Sequence, residues 1–204
     1  MIRLSLMLIF LGVITLLTGC GSGYPDSTKV PAKYMPKVNP HPKYFMTVKG
    51  FIDPRLQQRI HLTMIAEYDN FNPKCNMWVS YFEGADASWQ IFHTYKIRPN
   101  HQGNYQIKIP LDYYQPSRCN WHAAAISYKD DDAPSDGDSP QIIIFGIKDS
   151  KAASHRSGET NVICSKNSGC NIIKSSGFVA SGQLFPFERQ YTYTRNYYFK
   201  GKTS

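Results

Sequence analysis

The chain has 204 residues, 14% of them aromatic and 19% charged, and its 23 Lys and Arg oppose 15 Asp and Glu for a formal net charge of +8. That length holds one domain with a reasonable core and does not require a second. A basic balance suits nucleic acid, anionic headgroups, an acidic partner or simply a solvated surface, and the exported context argued next turns the choice away from nucleic acid.

Arg3 is the only charge before residue 26, and the weakly polar to apolar run Leu4 to Leu17 that follows it ends in Thr18, Gly19 and Cys20. This is a basic n-region, an h-region and a small-residue cleavage site. The run falls short of the ~20 apolar residues that a membrane-crossing helix needs, so an export signal over 1–19 is expected rather than a permanent span. Leu17-Thr18-Gly19-Cys20 resembles the lipobox of bacterial lipoproteins; the competing reading is a plain signal peptide with a chance cysteine. The resemblance implies that Cys20 is acylated and becomes the first residue. Each buried methylene adds about 0.8 kcal/mol of membrane affinity, so several acyl chains make attachment effectively permanent. Gly21 in place of aspartate implies, by the same resemblance, an outer-membrane anchor on the periplasmic side.

From Cys20 to Lys43 the text is proline-rich, with Pro25, Pro31, Pro36, Pro40 and Pro42 and no apolar periodicity. Proline favours extended polyproline conformation at about 3.1 Å per residue, which predicts a tether reaching on the order of 70 Å. The domain is expected over 44–204.

There the period becomes two. In "RIHLTMIAEY" Ile60, Leu62, Met64, Ala66 and Tyr68 share one face and His61, Thr63 and Glu67 the other, as a half-buried strand requires. Comparable runs follow or precede it at "YFMTVKGFI", "NMWVSYF", "SWQIFHTYKI", "NYQIKIPL", "WHAAAISY", "QIIIFGIK", "NVIC", "NIIKSS" and "QYTYTRNYYF", separated by turn formers such as "DP", "NP", "HQGN" and "QPSR". With little helix beyond the leader, the expectation is an all-β domain, a β-sandwich or partly closed barrel of about nine strands.

After the anchor four cysteines remain, Cys75, Cys119, Cys164 and Cys170. An even count in an exported chain reads as two disulfides among three possible pairings. Proximity favours Cys164 with Cys170, leaving Cys75 for Cys119. No C-x-x-C pair or suitably spaced histidine supports zinc, so no metal or other cofactor is expected. Neither G-x-S-x-G nor S-x-x-K occurs. The scattered His61, His93, His101, His122 and His155 read as surface and strand histidines, and no enzyme is expected.

Two segments stand out as binding candidates. "KDDDAPSDGDSP" carries Asp130, Asp131, Asp132, Asp136 and Asp138. It lacks the spacing and closing glutamate of a calcium loop and reads either as a solvated loop or as an acidic finger for a basic pocket on another protein. In "YTYTRNYYF", alternation places Tyr191, Tyr193, Arg195 and Tyr197 on one face and Tyr198 on the other. Because an arginine suits a core poorly, the Arg195 face is expected to be exposed and available to a partner, since Tyr and Arg are enriched in interface hot spots; tyrosine-rich strands are also ordinary sandwich material.

"GNYQIKIPLDYYQPSRCNW", residues 103–121, with Cys75 in "NPKCNMW" and the lipobox, resembles small exported lipoproteins of proteobacteria associated with type VI secretion effectors. The resemblance implies Pro110, Leu111, Asp112, Cys119 and Trp121 as framework. It also implies a protein-binding role: an immunity protein that blocks an incoming toxin, often a lipase. The alternative is a structural or assembly lipoprotein of the outer membrane.

Overall fold

The computed structural model describes residues 26–80, 84–130, 141–146, 156–166, 169–177 and 184–200. Twelve strands run through these residues: β1 (Phe45–Ile52), β2 (Thr63–Asn70), β3 (Met77–Ser80), β4 (Ala85–Ala87), β5 (Gln90–Lys96), β6 (Asn104–Pro110), β7 (Trp121–Lys129), β8 (Gln141–Gly146), β9 (Ser157–Ser165), β10 (Cys170–Ser176), β11 (Leu184–Pro186) and β12 (Tyr191–Lys200). The only helical pieces described are single 3-10 turns at Pro54–Leu56 and Pro73–Cys75, each opened by an Asx cap, from Asp53 and Asn72, with proline at its start.

The strands form two five-stranded sheets, ordered β10-β9-β12-β1-β6 and β11-β8-β7-β2-β5, and a small β3-β4 hairpin. The domain is therefore an open sandwich and not a closed barrel. In the first sheet β9, β12 and β1 are mutually parallel, so long connections must carry the chain between them. The core lies between the inner faces. On β2 it takes Met64, Ala66 and Tyr68, the face that alternation grouped, joined by Ile60 and Leu62 just before the strand.

One glycine is dictated by this packing. Gly50 on β1 lies opposite Arg195 of β12, and there the Tyr105 hydroxyl reaches past β1 to donate to the Arg195 carbonyl at 2.7 Å. A Cβ at position 50 would lie 1.8 Å from that carbonyl oxygen and 2.8 Å from the hydroxyl. No other residue fits.

Residues 26–43 correct the expectation of a free tether, because they are laid along the domain. Gln90 N donates to the Ser27 carbonyl (3.0 Å), Asn39 N to that of Tyr113 (2.7 Å) and Gln115 N to that of Lys37 (2.8 Å). Asp112 closes the strap: its carboxylate accepts from Lys43 N (2.9 Å) and Tyr44 N (3.1 Å), and its carbonyl accepts from Asn39 Nδ2 (2.9 Å). Trp121 Nε1 donates to the Tyr34 carbonyl (3.1 Å). Proline removes some donors from an extended segment but leaves its carbonyls available, which suits a strap against an existing edge. Asp112 and Trp121, two of the expected framework residues, are thus the clamps that hold it. The leader and Cys20 lie outside the described residues.

Both disulfides are formed, Cys75 with Cys119 and Cys164 with Cys170. The first ties the 3-10 turn before β3 to the loop before β7. The second closes the β9-β10 hairpin, where its two cysteines are directly opposed.

Candidate functional site

The first aspartate of the acidic run meets the Tyr/Arg strand inside the protein. Tyr191, Tyr193, Arg195 and Tyr197 do share a face of β12, but it is the buried one, with Arg195 2% and Tyr197 0% exposed. The expected exposed Tyr/Arg surface is therefore corrected: these four side chains cannot form a contact surface in this fold. Arg195 is tolerated because protein groups replace its water. Its Nε donates to the Tyr197 hydroxyl (2.6 Å), its Nη1 to the Tyr193 hydroxyl (3.4 Å), and its guanidinium carbon sits 3.8 Å from the centre of the Tyr128 ring. Nη2 lies 3.8 Å from Asp130 Oδ2, which also accepts from the Tyr197 hydroxyl. Burial opposes the guanidinium charge, yet the tyrosine shell outweighs it and raises the Arg195 pKa. Burial is also the main cause that pushes the Tyr197 hydroxyl far up.

Asp130 follows β7 in the second sheet, whereas Arg195 is on β12 in the first, so this pair bridges the two layers. It is also the first aspartate of the acidic run. Asp130 is buried and cannot serve as a partner contact; Asp131, Asp132, Asp136 and Asp138 lie outside the described residues. The polar chain continues from Arg195 through the Tyr193 hydroxyl to Thr160 Oγ1 (3.0 Å) on β9, and from there to Ser175 Oγ (3.3 Å) on β10.

β10 leads to a surface that alternation did not single out. Beyond Cys170 every residue of this edge strand is exposed, and two consecutive isoleucines, Ile172 at 57% and Ile173 at 58%, are among the most exposed large apolar side chains described. The pairing with β9 slips between Ile172 and Lys174. The signal was present in "NIIKSS", since adjacent isoleucines cannot both face one core across a strand. The closed end of this hairpin is basic: Lys166 follows Ser165, Lys200 is opposite Ser165 in the β12 register, and Arg59 donates to the Ser165 carbonyl (2.6 Å).

Two of the histidines read as surface and strand residues lie on strands, His93 on β5 and His122 on β7, and both are packed against aromatic rings. The His93 Nε2 is 2.8 Å from the Tyr114 hydroxyl, and its ring lies 4.4 Å from that of Tyr113. His122 is stacked between Phe71 (3.7 Å) and Phe187 (4.0 Å) and is 1% exposed. Burial holds its imidazole down to about 3, and the Asn120 backbone offsets only part of that. Opposite His122 in the β2 register, burial first and then the neighbouring Glu67 carboxylate push the Asp69 carboxyl up to about 8; burial also raises Glu67, against hydrogen bonds to Gln90 and Asp69 that lower it.

A pH dependence follows from His122. The folded chain keeps the ring neutral, while the unfolded chain takes up a proton below about 6.5. Its contribution is complete above that pH and is lost progressively as pH falls toward 3. Replacing His122 by phenylalanine, which suits the slot between two rings, is expected to make the stability difference between pH 7 and pH 4 about 3 kcal/mol smaller, measured by urea denaturation at both pH values. An unchanged difference would remove His122 as the cause.

Fold and site together define an all-β sandwich carrying two disulfides and a buried inter-sheet ion pair. Comparison of the chain with protein-family models, with curated proteins and with solved structures found no match.

Proposed function

We propose that the chain is a periplasm-facing lipoprotein, acylated at Cys20 and held in the outer membrane, whose sandwich binds another protein. The partner that fits best is a secreted antibacterial effector of lipase type, which the domain blocks as an immunity protein. The observation carrying this reading is the use of the five cysteines. Both bridges behind the lipobox are formed, as suits an oxidising compartment, and Cys20 is the sulfur left for lipid.

Inhibition on this reading is steric and electrostatic. The Asp130 and Arg195 pair fixes the residue at which the acidic run begins, and the charge of that run is what a basic pocket on the effector would read. Because the chain is docked from Asp26 onward, the segment between Cys20 and the domain spans at most on the order of 20 Å. The domain therefore works close to its membrane, where an enzyme attacking lipid would have to act.

The test uses a soluble form lacking residues 1–19 and carrying Cys20→Ala. It is expected to leave the membrane fraction while retaining affinity for, and stoichiometric inhibition of, an effector encoded beside its gene. An unmodified residue 20 in the mature native chain rejects the lipoprotein reading. Full effector activity in the presence of excess folded domain rejects the immunity reading and favours an assembly role.

A further inference from the structure

We propose that the β10 edge is a docking strand that accepts an extended, acidic and apolar segment of a partner protein as a sixth strand of the first sheet. This rests on the protein-binding reading above and locates it. An exposed sheet edge offers a row of backbone donors and acceptors to any extended chain, and native proteins blunt such edges with charge, brevity or cover.

The other edges are managed in these ways. β6 shows Asn104, Gln106 and Lys108 outward. β11 has three residues. β5 begins beneath the strap, where Gln90 N is bonded to Ser27. β10 is seven residues long and presents Ile172 and Ile173 to solvent instead. The register slip beside Ile173 re-aims that side chain, as bulges do next to functional sites. The edge is also preorganised: the Cys164 to Cys170 bridge closes one end, the Lys174 to Glu159 ion pair (3.5 Å) braces the other, and Thr160 ties Ser175 to the Arg195 cluster. Such bracing lowers the entropy cost of docking.

Charge selects the occupant. Lys166 and Lys200 are exposed around the closed end, so acidic residues alternating with apolar ones match the edge.

The experiment follows amide hydrogen exchange across β10 in the whole chain, held in detergent micelles, with a capped peptide of alternating glutamate and valine as probe and its lysine and valine counterpart as control. The acidic peptide is expected to slow exchange in β10 by about tenfold and the basic one not at all. Ile172→Asp with Ile173→Asp abolishes the effect, and Lys166→Glu weakens it several-fold; both positions are exposed, and unchanged circular dichroism confirms the fold. No slowing, equal slowing by both peptides, or slowing that depends on the chain's own concentration overturns the proposal. Since the probe is not an effector, protection by the acidic peptide alongside failure to inhibit any effector retains the docking edge and removes the immunity reading.

Discussion

Replacing Arg195 with methionine is expected to lower the stability of the folded chain by about 3–5 kcal/mol, read as a fall in the urea midpoint with an unchanged slope. The cost comes from what stays behind. Asp130 loses its counter-charge between the sheets, and the hydroxyls of Tyr193 and Tyr197 lose the guanidinium that organises them. Methionine retains much of the apolar stem that packs on Tyr128, so the measured loss reports mainly the lost charge pairing. Removing both charges, with Asp130→Asn added, is expected to recover at least half, because a neutral amide tolerates a buried site without a cation better than a carboxylate does. A single variant losing under about 1 kcal/mol, or a double variant as damaged as the single, would show that the pair does not hold the layers together.

The second large effect separates the two disulfides. Cys75 and Cys119 are 44 residues apart, Cys164 and Cys170 only six. On the loop-entropy model, Cys75→Ser with Cys119→Ser costs about 4 kcal/mol, whereas Cys164→Ser with Cys170→Ser costs about 2. The first bridge closes a loop containing β3 to β6 and secures the entry to β7 and Trp121. The second secures an edge hairpin that could open without the core following. Hydrogen exchange should therefore rise throughout the sandwich without the first bridge and chiefly in β9 and β10 without the second. Equal losses from the two double variants would refute the assignment of the long bridge as the structural staple.

Much of the architecture is legible as period two. All ten runs read as strands coincide with strands, and the unread ones, β4 and β11, have three residues each, too short to show alternation. The disulfide partners favoured by proximity are the ones formed. The strap was misread for a physical reason: prolines at 31, 36, 40 and 42 predict an extended spacer, but the segment turns after Pro31, and the clamps that hold it against the domain, Asp112 and Trp121, come from far along the chain. The docking edge was missed because a strand's place in its sheet is absent from its own residues. Adjacent isoleucines in "NIIKSS" say that one of them leaves the core, but not whether a neighbouring strand covers it.

Local sequence by itself determined which residues form strands, which side chains share a face, and that Cys164 favours Cys170, because alternation and short chain separation act between near neighbours. The tertiary structure alone decided which face of β12 turns inward. That choice depends on Asp130 arriving from the opposite sheet to neutralise Arg195: a guanidinium can be buried only where the fold brings it a counter-charge and hydroxyl acceptors, and no local pattern encodes that meeting.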